Sequence, residues 1–272
     1  MPANNARAIE KARTLECDTI VIDLEDSVAP DQKEDARHMA IEAIKAGEFD
    51  ADLVVRINGL ESPWSKDDLA AISKVAGDIV AILMPKIETR QNVIDTEQLM
   101  FLERFPEAVD LWAMIETPRA VFNLNDIVSS GKRLFGLVMG VNDMAVELGI
   151  SPNKRAAITS HMQQVVAVAK GNGLWAIDGV YNNLKDNYGF KVDCKEGAKL
   201  GFDGKSLIHP NQIDDANEAF SPSEEDIEKA LALIEAFEHG LEQGLSIIQH
   251  DGEMVEALHV VAAQKLLAKA GN

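Results

Sequence analysis

Glu116 and Asp143 are the residues of this sequence most suited to hold a metal. Each follows a short apolar run, residues 111–115 and 134–139. Two carboxylates at neighbouring strand ends, completed by water and a chelating substrate, make a Mg²⁺ site, because Mg²⁺ takes oxygen ligands and keeps several waters. The same carboxylates could instead cap a helix or pair with an arginine. Arg56 ends another apolar run, 53–56. A guanidinium there either grips a substrate carboxylate bidentately or neutralises Glu25 and Asp26, and the two roles can coexist. The run Asp23-Leu-Glu-Asp26 gathers like charges that need such a partner. Lys86, after Met84-Pro85, could bind substrate or serve as a buried counter-ion; nothing adjacent marks it as a Schiff-base lysine. Asp178 follows the run 174–177 and could orient substrate or a metal-bound water. His209, before Pro210, reads as a structural cap ahead of a catalytic base. There is no G-x-G-x-x-G or Walker pattern, and the two cysteines and the histidines show no zinc spacing.

A scaffold that collects strand ends is needed to bring these residues together. Seven apolar runs stop at charged or polar residues: 19–23, 53–56, 79–84, 111–115, 134–139, 174–177 and 205–208. Strands buried on both faces read as continuous apolar runs. Functional side chains at their C-terminal ends are the pattern of a (β/α)8 TIM barrel. Helical stretches alternate with them at 4–16, 32–45, 66–75, 89–104, 118–129, 154–172, 193–200 and 210–220, which favours an α/β fold with a parallel sheet. The barrel is expected over residues 1–220. Barrels close with eight strands, and seven are found. Residues 1–5 lead straight into a helix, so the first strand is expected to be missing from this chain; an open barrel, or one closed by another chain, is the alternative. Residues 221–272 form a C-terminal helical extension: a helix over 227–240, a glycine-containing segment over 244–252 and a final helix over 254–270. It could serve packing, a subunit contact or an active-site lid.

The 272 residues suit one barrel domain. A net charge of −19 argues against a nucleic-acid or anionic-membrane binder. No apolar run approaches the roughly 20 residues needed to cross a bilayer, and no signal peptide is visible. Cys17 and Cys194 are isolated, so a reduced, cytoplasmic protein is the simplest reading.

Several segments occur in order: Met1-Pro-Ala-Asn-Asn-Ala-Arg7 with Lys11, Asp23-Leu-Glu-Asp26, Arg56-Ile-Asn58, Met84-Pro-Lys-Ile-Glu88, Met114-Ile-Glu-Thr-Pro118, Gly140-Val-Asn-Asp143 and Gly201-Phe-Asp-Gly-Lys-Ser-Leu-Ile-His-Pro210. Together they resemble, from end to end, the citrate lyase β-subunit-like family of CoA-ester lyases, which includes malyl-CoA and citramalyl-CoA lyases. The resemblance implies a TIM barrel with Mg²⁺ on Glu116 and Asp143. It implies that Arg56, with Glu25 and Lys86 beside it, binds the 2-oxo acid, and that Arg7 and Lys11 lie near the CoA phosphates. It also implies a first strand of Arg-Ser-x-Leu-Phe type before Met1, which this chain lacks. The implied reaction is a reversible Claisen cleavage of a 3-hydroxyacyl-CoA, such as malyl-, citramalyl- or citryl-CoA, into a 2-oxo acid and acetyl-CoA. Family analogy further suggests a homo-oligomer, trimer or hexamer.

One departure stands out. The family's Asp in a Met-Ile-Asp segment is Glu256 here, within Met254-Val-Glu-Ala-Leu-His259. That Asp serves as the acid and base toward the acetyl-CoA enolate, often in a neighbouring subunit. The Glu-x-Leu-His form resembles a subgroup that includes malyl-CoA thioesterases. Glu256 could also be a solvated position on an amphipathic helix. The readings that remain are the lyase, a malyl-CoA thioesterase, an aldolase of free 2-oxo acids, and a subunit that works with a carrier partner.

Overall fold

The computed structural model describes residues 1–151 and 155–271. Among them the chain divides into two units, Met1–Ile213 and Asp214–Asn272. In the first, helices and strands alternate: α1 (Ala6–Ala12), β1 (Thr19–Asp23), α2 (Lys33–Ala46), β2 (Asp52–Arg56), α3 (Ser65–Ile72), β3 (Ala81–Met84), α4 (Arg90–Leu102), β4 (Asp110–Ile115), α5 (Pro118–Phe122), α6 (Leu124–Val128), β5 (Leu134–Met139), α7 (Val141–Glu147), α8 (Thr159–Gly171), β6 (Trp175–Asp178), α9 (Asn187–Leu200) and β7 (Gly204–Lys205). The seven strands form one curled parallel sheet in chain order. Each parallel neighbour is reached through a helical crossover, as the alternating sequence requires.

The sheet has no pairing between β7 and β1 among the described residues. The outer edge of β1 is met instead by the first residues of the chain. Pro2 bridges Asp23 in parallel, the Ala3 N–H donates to the Asp23 carbonyl (2.9 Å) and the Asp23 N–H to the Met1 carbonyl (2.9 Å).

Along each strand, side chains alternate between the two faces of the sheet. Val54, Ala81, Leu83 and Val138 form a buried cluster on one face, with Val21, Trp112, Met114 and Ile177 packed against it. Asp23, Arg56 and Glu116 continue these rows by the period of two, so the same face that carries the core leads up to the polar residues. Asp178 falls on the opposite parity, next to Ile177.

Some elements differ from the sequence reading. The helix expected over 118–129 is two short helices, because Asn123 leaves helical geometry (φ −101°, ψ 9°). α9 starts at Asn187, six residues ahead of the expected 193, with Asp186 capping it through the Gly189 N–H (2.8 Å). The expected helix 154–172 is α8 in its main part; residue 154 lies outside the described residues.

In the second unit, α10 (Ile213–Phe220) leads to α11 (Glu224–Glu242), which opens on a Ser223/Asp226 capping box. The segment after it is a hairpin, not an irregular stretch: β8 (Ile247–His250) pairs antiparallel with β9 (Glu253–Glu256). The turn is Asp251-Gly252, both with positive φ (48° and 83°), the two-residue turn that Asp-Gly favours. The last helix, α12 (Ala257–Lys269), therefore begins three residues later than expected. Ala230 of α11 and Ala263 and Leu267 of α12 share the core of this unit.

Candidate functional site

The β1–β2 register sets Asp23 opposite Arg56. The guanidinium meets the Asp23 carboxylate in a two-point fork, Nε to Oδ1 and Nη2 to Oδ2, both 2.6 Å. Nη1 lies 3.1 Å from Glu25 Oε2 and faces the Met114 sulfur at 3.8 Å. The partners of Arg56 are thus Asp23 and Glu25; Asp26, expected to share it, is exposed. Its place explains the difference, because Asp23 is on the strand facing Arg56 whereas Asp26 is three residues into the loop. Burial works to raise the Asp23 carboxyl, but the hydrogen bonds and charge of Arg56, with help from Ser27 and the Glu25 N–H, hold it below its ordinary value. Glu25 is shifted the other way: burial and neighbouring Asp26 raise it, against Arg56 and Lys86. Lys86 sits at the rim, its side chain 53% exposed, with Nζ 3.3 Å from Glu25 Oε1.

Glu116 follows β4 directly and is 2% exposed. Its Oε1 accepts the Lys86 backbone N–H at 2.7 Å. Lys86 holds a left-handed conformation (φ 54°), a backbone strain of the kind that concentrates at functional sites. Asp143 lies in the first turn of α7 rather than at the strand end. It makes no hydrogen bond or ion pair with the described residues. Burial, the Asp143 charge and the Glu25 charge push the Glu116 carboxyl up to about 7, against the Lys86 N–H and Arg56. Gly140 lets the two elements come this close: a Cβ there would stand 2.3 Å from Glu116 Cβ and 2.7 Å from its Oε2.

Asp178 turns away from these acids. Its side chain is fully buried, on the parity opposite to Ile177. Arg155 donates to both of its oxygens (3.1 and 2.9 Å), Lys205 Nζ to Oδ2 (2.9 Å) and the Gly179 N–H to Oδ1 (2.8 Å). Lys205 and Arg155 also pair with Asp193 of α9. Arg7 and Lys11 are exposed on α1, one helical turn apart. His209 caps the turn after it by accepting the Asn211 N–H at Nδ1 (3.1 Å). Glu256 belongs to the second unit, at the start of α12, and its N–H donates to His259 Nδ1 (3.1 Å). Lys33, Asp68, Arg155 and Lys205 were not singled out by the sequence reading. Their partners are distant in sequence, and no spacing signal marks them.

The site holds a buried carboxylate, Glu116, beside the partly buried Asp143 and an anchored guanidinium, where the parallel strands β1, β2 and β4 end. Among the described residues no group of three or more His, Cys, Asp or Glu is arranged around a metal position. A pair of this kind suits a hard cation that keeps water or substrate oxygens as its other ligands. The class so defined is an α/β enzyme acting on a small anionic substrate.

The chain belongs to the HpcH/HpaI aldolase/citrate lyase family, whose sequence profile matches residues 1–210. A (3S)-malyl-CoA thioesterase of Cereibacter sphaeroides (strain ATCC 17025 / ATH 2.4.3) is 40% identical over 99% of this chain and 92% of its own. Citrate lyase subunit beta of Escherichia coli (strain K12) is 31% identical over 99% and 91%. Among solved structures, protein CitE of Mycobacterium tuberculosis in complex with magnesium, acetoacetate and coenzyme A aligns with a TM-score of 0.82 at 26% identity, covering all of this chain and 96% of that one. RipC of Yersinia pestis aligns with a TM-score of 0.71 at 28% identity over 84% and 95%. The expected family and its enzyme character are therefore borne out. No helix among the described residues is long and apolar enough to cross a membrane.

Proposed function

We propose that this enzyme is a Mg²⁺-dependent CoA-ester lyase that cleaves a 3-hydroxyacyl-CoA such as malyl-CoA into a 2-oxo acid and acetyl-CoA. The observation that carries the reading is the buried Glu116 carboxylate beside the unpartnered Asp143, next to the Asp23–Arg56 fork. Both carboxylates are hard oxygen donors, and their mutual repulsion is what a divalent cation would relieve. The M. tuberculosis relative crystallised with magnesium and coenzyme A supports the same cofactor and ester class here.

Bound between Glu116 and Asp143, Mg²⁺ would supply Lewis acidity and a template for an oxo or hydroxyl oxygen and its neighbouring carboxylate. Arg56 grips that carboxylate with the Nη hydrogens that Asp23 and Glu25 leave over, its plane fixed by the fork. Glu25 spaces Arg56 from Lys86, whose ammonium adds positive charge at the rim. Arg7 and Lys11 take the CoA phosphates. As the carbon–carbon bond breaks, the substrate hydroxyl gives its proton to solvent water and becomes the oxo group, and the electron pair of the broken bond stays on the acetyl-CoA carbon as the enolate. Glu256 gives that carbon a proton, and takes it in the condensation direction. This asks residues 221–272 to act as an active-site lid in a homo-oligomeric trimer or hexamer. Asp178 acts by positioning: saturated by Arg155 and Lys205, it fixes the end of β6 without touching substrate. The sheet is the wall of a (β/α)8-type barrel spanning residues 1–220, with Met1–Ala3 where the expected first strand would end, and the enzyme works in the cytoplasm.

A second reading, malyl-CoA hydrolysis to malate and CoA, is favoured by one specific observation: the relatives at 40% identity carry that name. One assay separates the two. The protein receives malyl-CoA and Mg²⁺, and glyoxylate, malate and free thiol are quantified together. Glyoxylate with acetyl-CoA, abolished by EDTA and by Glu116→Gln, supports the lyase. Malate with equimolar thiol and little glyoxylate overturns it in favour of the thioesterase. Neither product removes malyl-CoA as the substrate.

A further inference from the structure

The loop that carries Glu25 is held from behind by a buried cation. Lys33, on the first turn of α2, is 6% exposed. Its three N–H donors are all used: on the Leu24 carbonyl (2.8 Å), the Glu25 carbonyl (2.8 Å) and Asn58 Oδ1 (2.7 Å). Asn58 Nδ2 donates to the same Leu24 carbonyl (2.9 Å) and to Asp68 Oδ2 (2.6 Å), which also takes the Asn58 N–H (2.9 Å). Arg37 closes the chain on Asp68 Oδ1 (3.0 Å). Trp64 lies over the ammonium, 5.2 Å from ring centre to Nζ. Asp68 is fully buried and Asn58 nearly so.

Burying an ammonium is costly unless its donors are matched. A fold that needed only packing at this position could use a Leu or Met. The ammonium instead sits on the oxygen end of the Leu24–Glu25 peptide, whose N–H is that of Glu25, and on the next carbonyl, that of Glu25 itself. The Leu24 N–H donates to the Arg56 carbonyl (2.8 Å) and the Glu25 N–H to Asp23 Oδ1 (2.9 Å). A cation on the oxygen end of a peptide strengthens the donor at its nitrogen end.

The geometry points to Lys33 as a positioning residue for the oxo-acid grip: through the Leu24–Glu25 peptide it fixes Asp23, through the Glu25 carbonyl it fixes Glu25, and through these two acids the Arg56 guanidinium. This rests on the proposed substrate only for the role of Arg56. Asn58 and Asp68 are the supports that hold Lys33 in place. The selectivity of the effect distinguishes positioning from general stability. Loss of Lys33 loosens the Arg56 half of the site and leaves the Glu116–Asp143 half and α1 unchanged.

The test uses Lys33→Met and Asp68→Asn in the full chain. In the condensation direction, Lys33→Met raises KM for glyoxylate and lowers kcat/KM about 10- to 100-fold, the span expected for losing charge-assisted hydrogen bonds. KM for acetyl-CoA and the Mn²⁺ affinity stay within about twofold of wild type. Asp68→Asn shifts the same constant in the same direction, less strongly, and carries the test where Lys33→Met does not fold. A lowered melting temperature with unchanged glyoxylate KM below it overturns the inference. A parallel readout needs no substrate: the ¹⁵N-labelled Arg56 Nε–H signal, slowly exchanging in wild type, moves and exchanges faster in either variant. If wild type makes no malyl-CoA but this signal still responds, the substrate reading fails and the positioning stands. If the signal is identical in both variants and wild type, the positioning is refuted.

Discussion

Gly140→Ala sets a gain in backbone entropy against a clash with Glu116. The Gly140 backbone (φ −94°, ψ 83°) is open to any L-residue, so the substitution carries no conformational strain. On backbone entropy alone, Ala would stabilise by about 0.4–1 kcal/mol. The added methyl, however, would stand 2.3 Å from Glu116 Cβ and 2.7 Å from Oε2, with the Glu116 Cα at 3.2 Å. Restoring ordinary contact requires a displacement of about 1.1 Å between the two elements. Overpacking of that kind costs about 1–3 kcal/mol. The shift draws Glu116 from the Lys86 N–H and from Asp143, and an ångström of misplacement costs about 100-fold in rate. Urea denaturation with Mn²⁺ binding measures both effects. The expected result is a lower midpoint, weaker metal binding and a fall in kcat. A variant as stable as wild type or more so, with metal affinity within twofold, would refute the close approach.

Two other perturbations act on different parts of the site. Asp178→Asn leaves Arg155 and Lys205 buried with less negative charge and should cost about 3–5 kcal/mol, while metal affinity in the folded protein is unchanged; chemical denaturation and Mn²⁺ titration check the two halves. Metal affinity should fall as pH drops below about 7, because the Glu116 carboxyl, pushed up by burial and Asp143, must lose its proton to bind; isothermal titration at pH 6 and pH 8 in buffers of different ionisation heat counts that proton. Asp23 is held low by Arg56 in the folded state, so its contribution to stability is full above the unfolded carboxylate value near about 3.9. That contribution is lost as pH falls through the lower folded value. Unfolding of Arg56→Met against pH should lack this acid-side fall.

The strand frame was readable because apolar runs such as 134–139, buried at every position but Phe135, stand out, and that run matches β5 residue for residue. Arg56 and Glu116 were readable because each ends such a run. The direction of Asp178 was open to the same reasoning, since it alternates with Ile177, but a strand end shows its charge before its parity. The hairpin around Asp251-Gly252 carries a turn signal in sequence, yet its flanks mix polar and apolar residues and read as an irregular segment. Lys33, Asp68, Arg155 and Lys205 matter through partners that the fold brings from afar, and a lysine on a polar helix start looks like any solvated one until its carbonyl partners are in place. The acid pair was placed at successive strand ends; Asp143 reaches the site from the first turn of α7, through a glycine whose purpose appears only when Glu116 is beside it.

The metal site is tested most directly by electron paramagnetic resonance of Mn²⁺ added to the protein, as wild type, Glu116→Gln and Asp143→Asn. One bound ion per chain in wild type, displaced by Mg²⁺, perturbed by glyoxylate and lost in both variants, is the result the account predicts. A bound ion that survives both substitutions, or no bound ion in wild type, would contradict it.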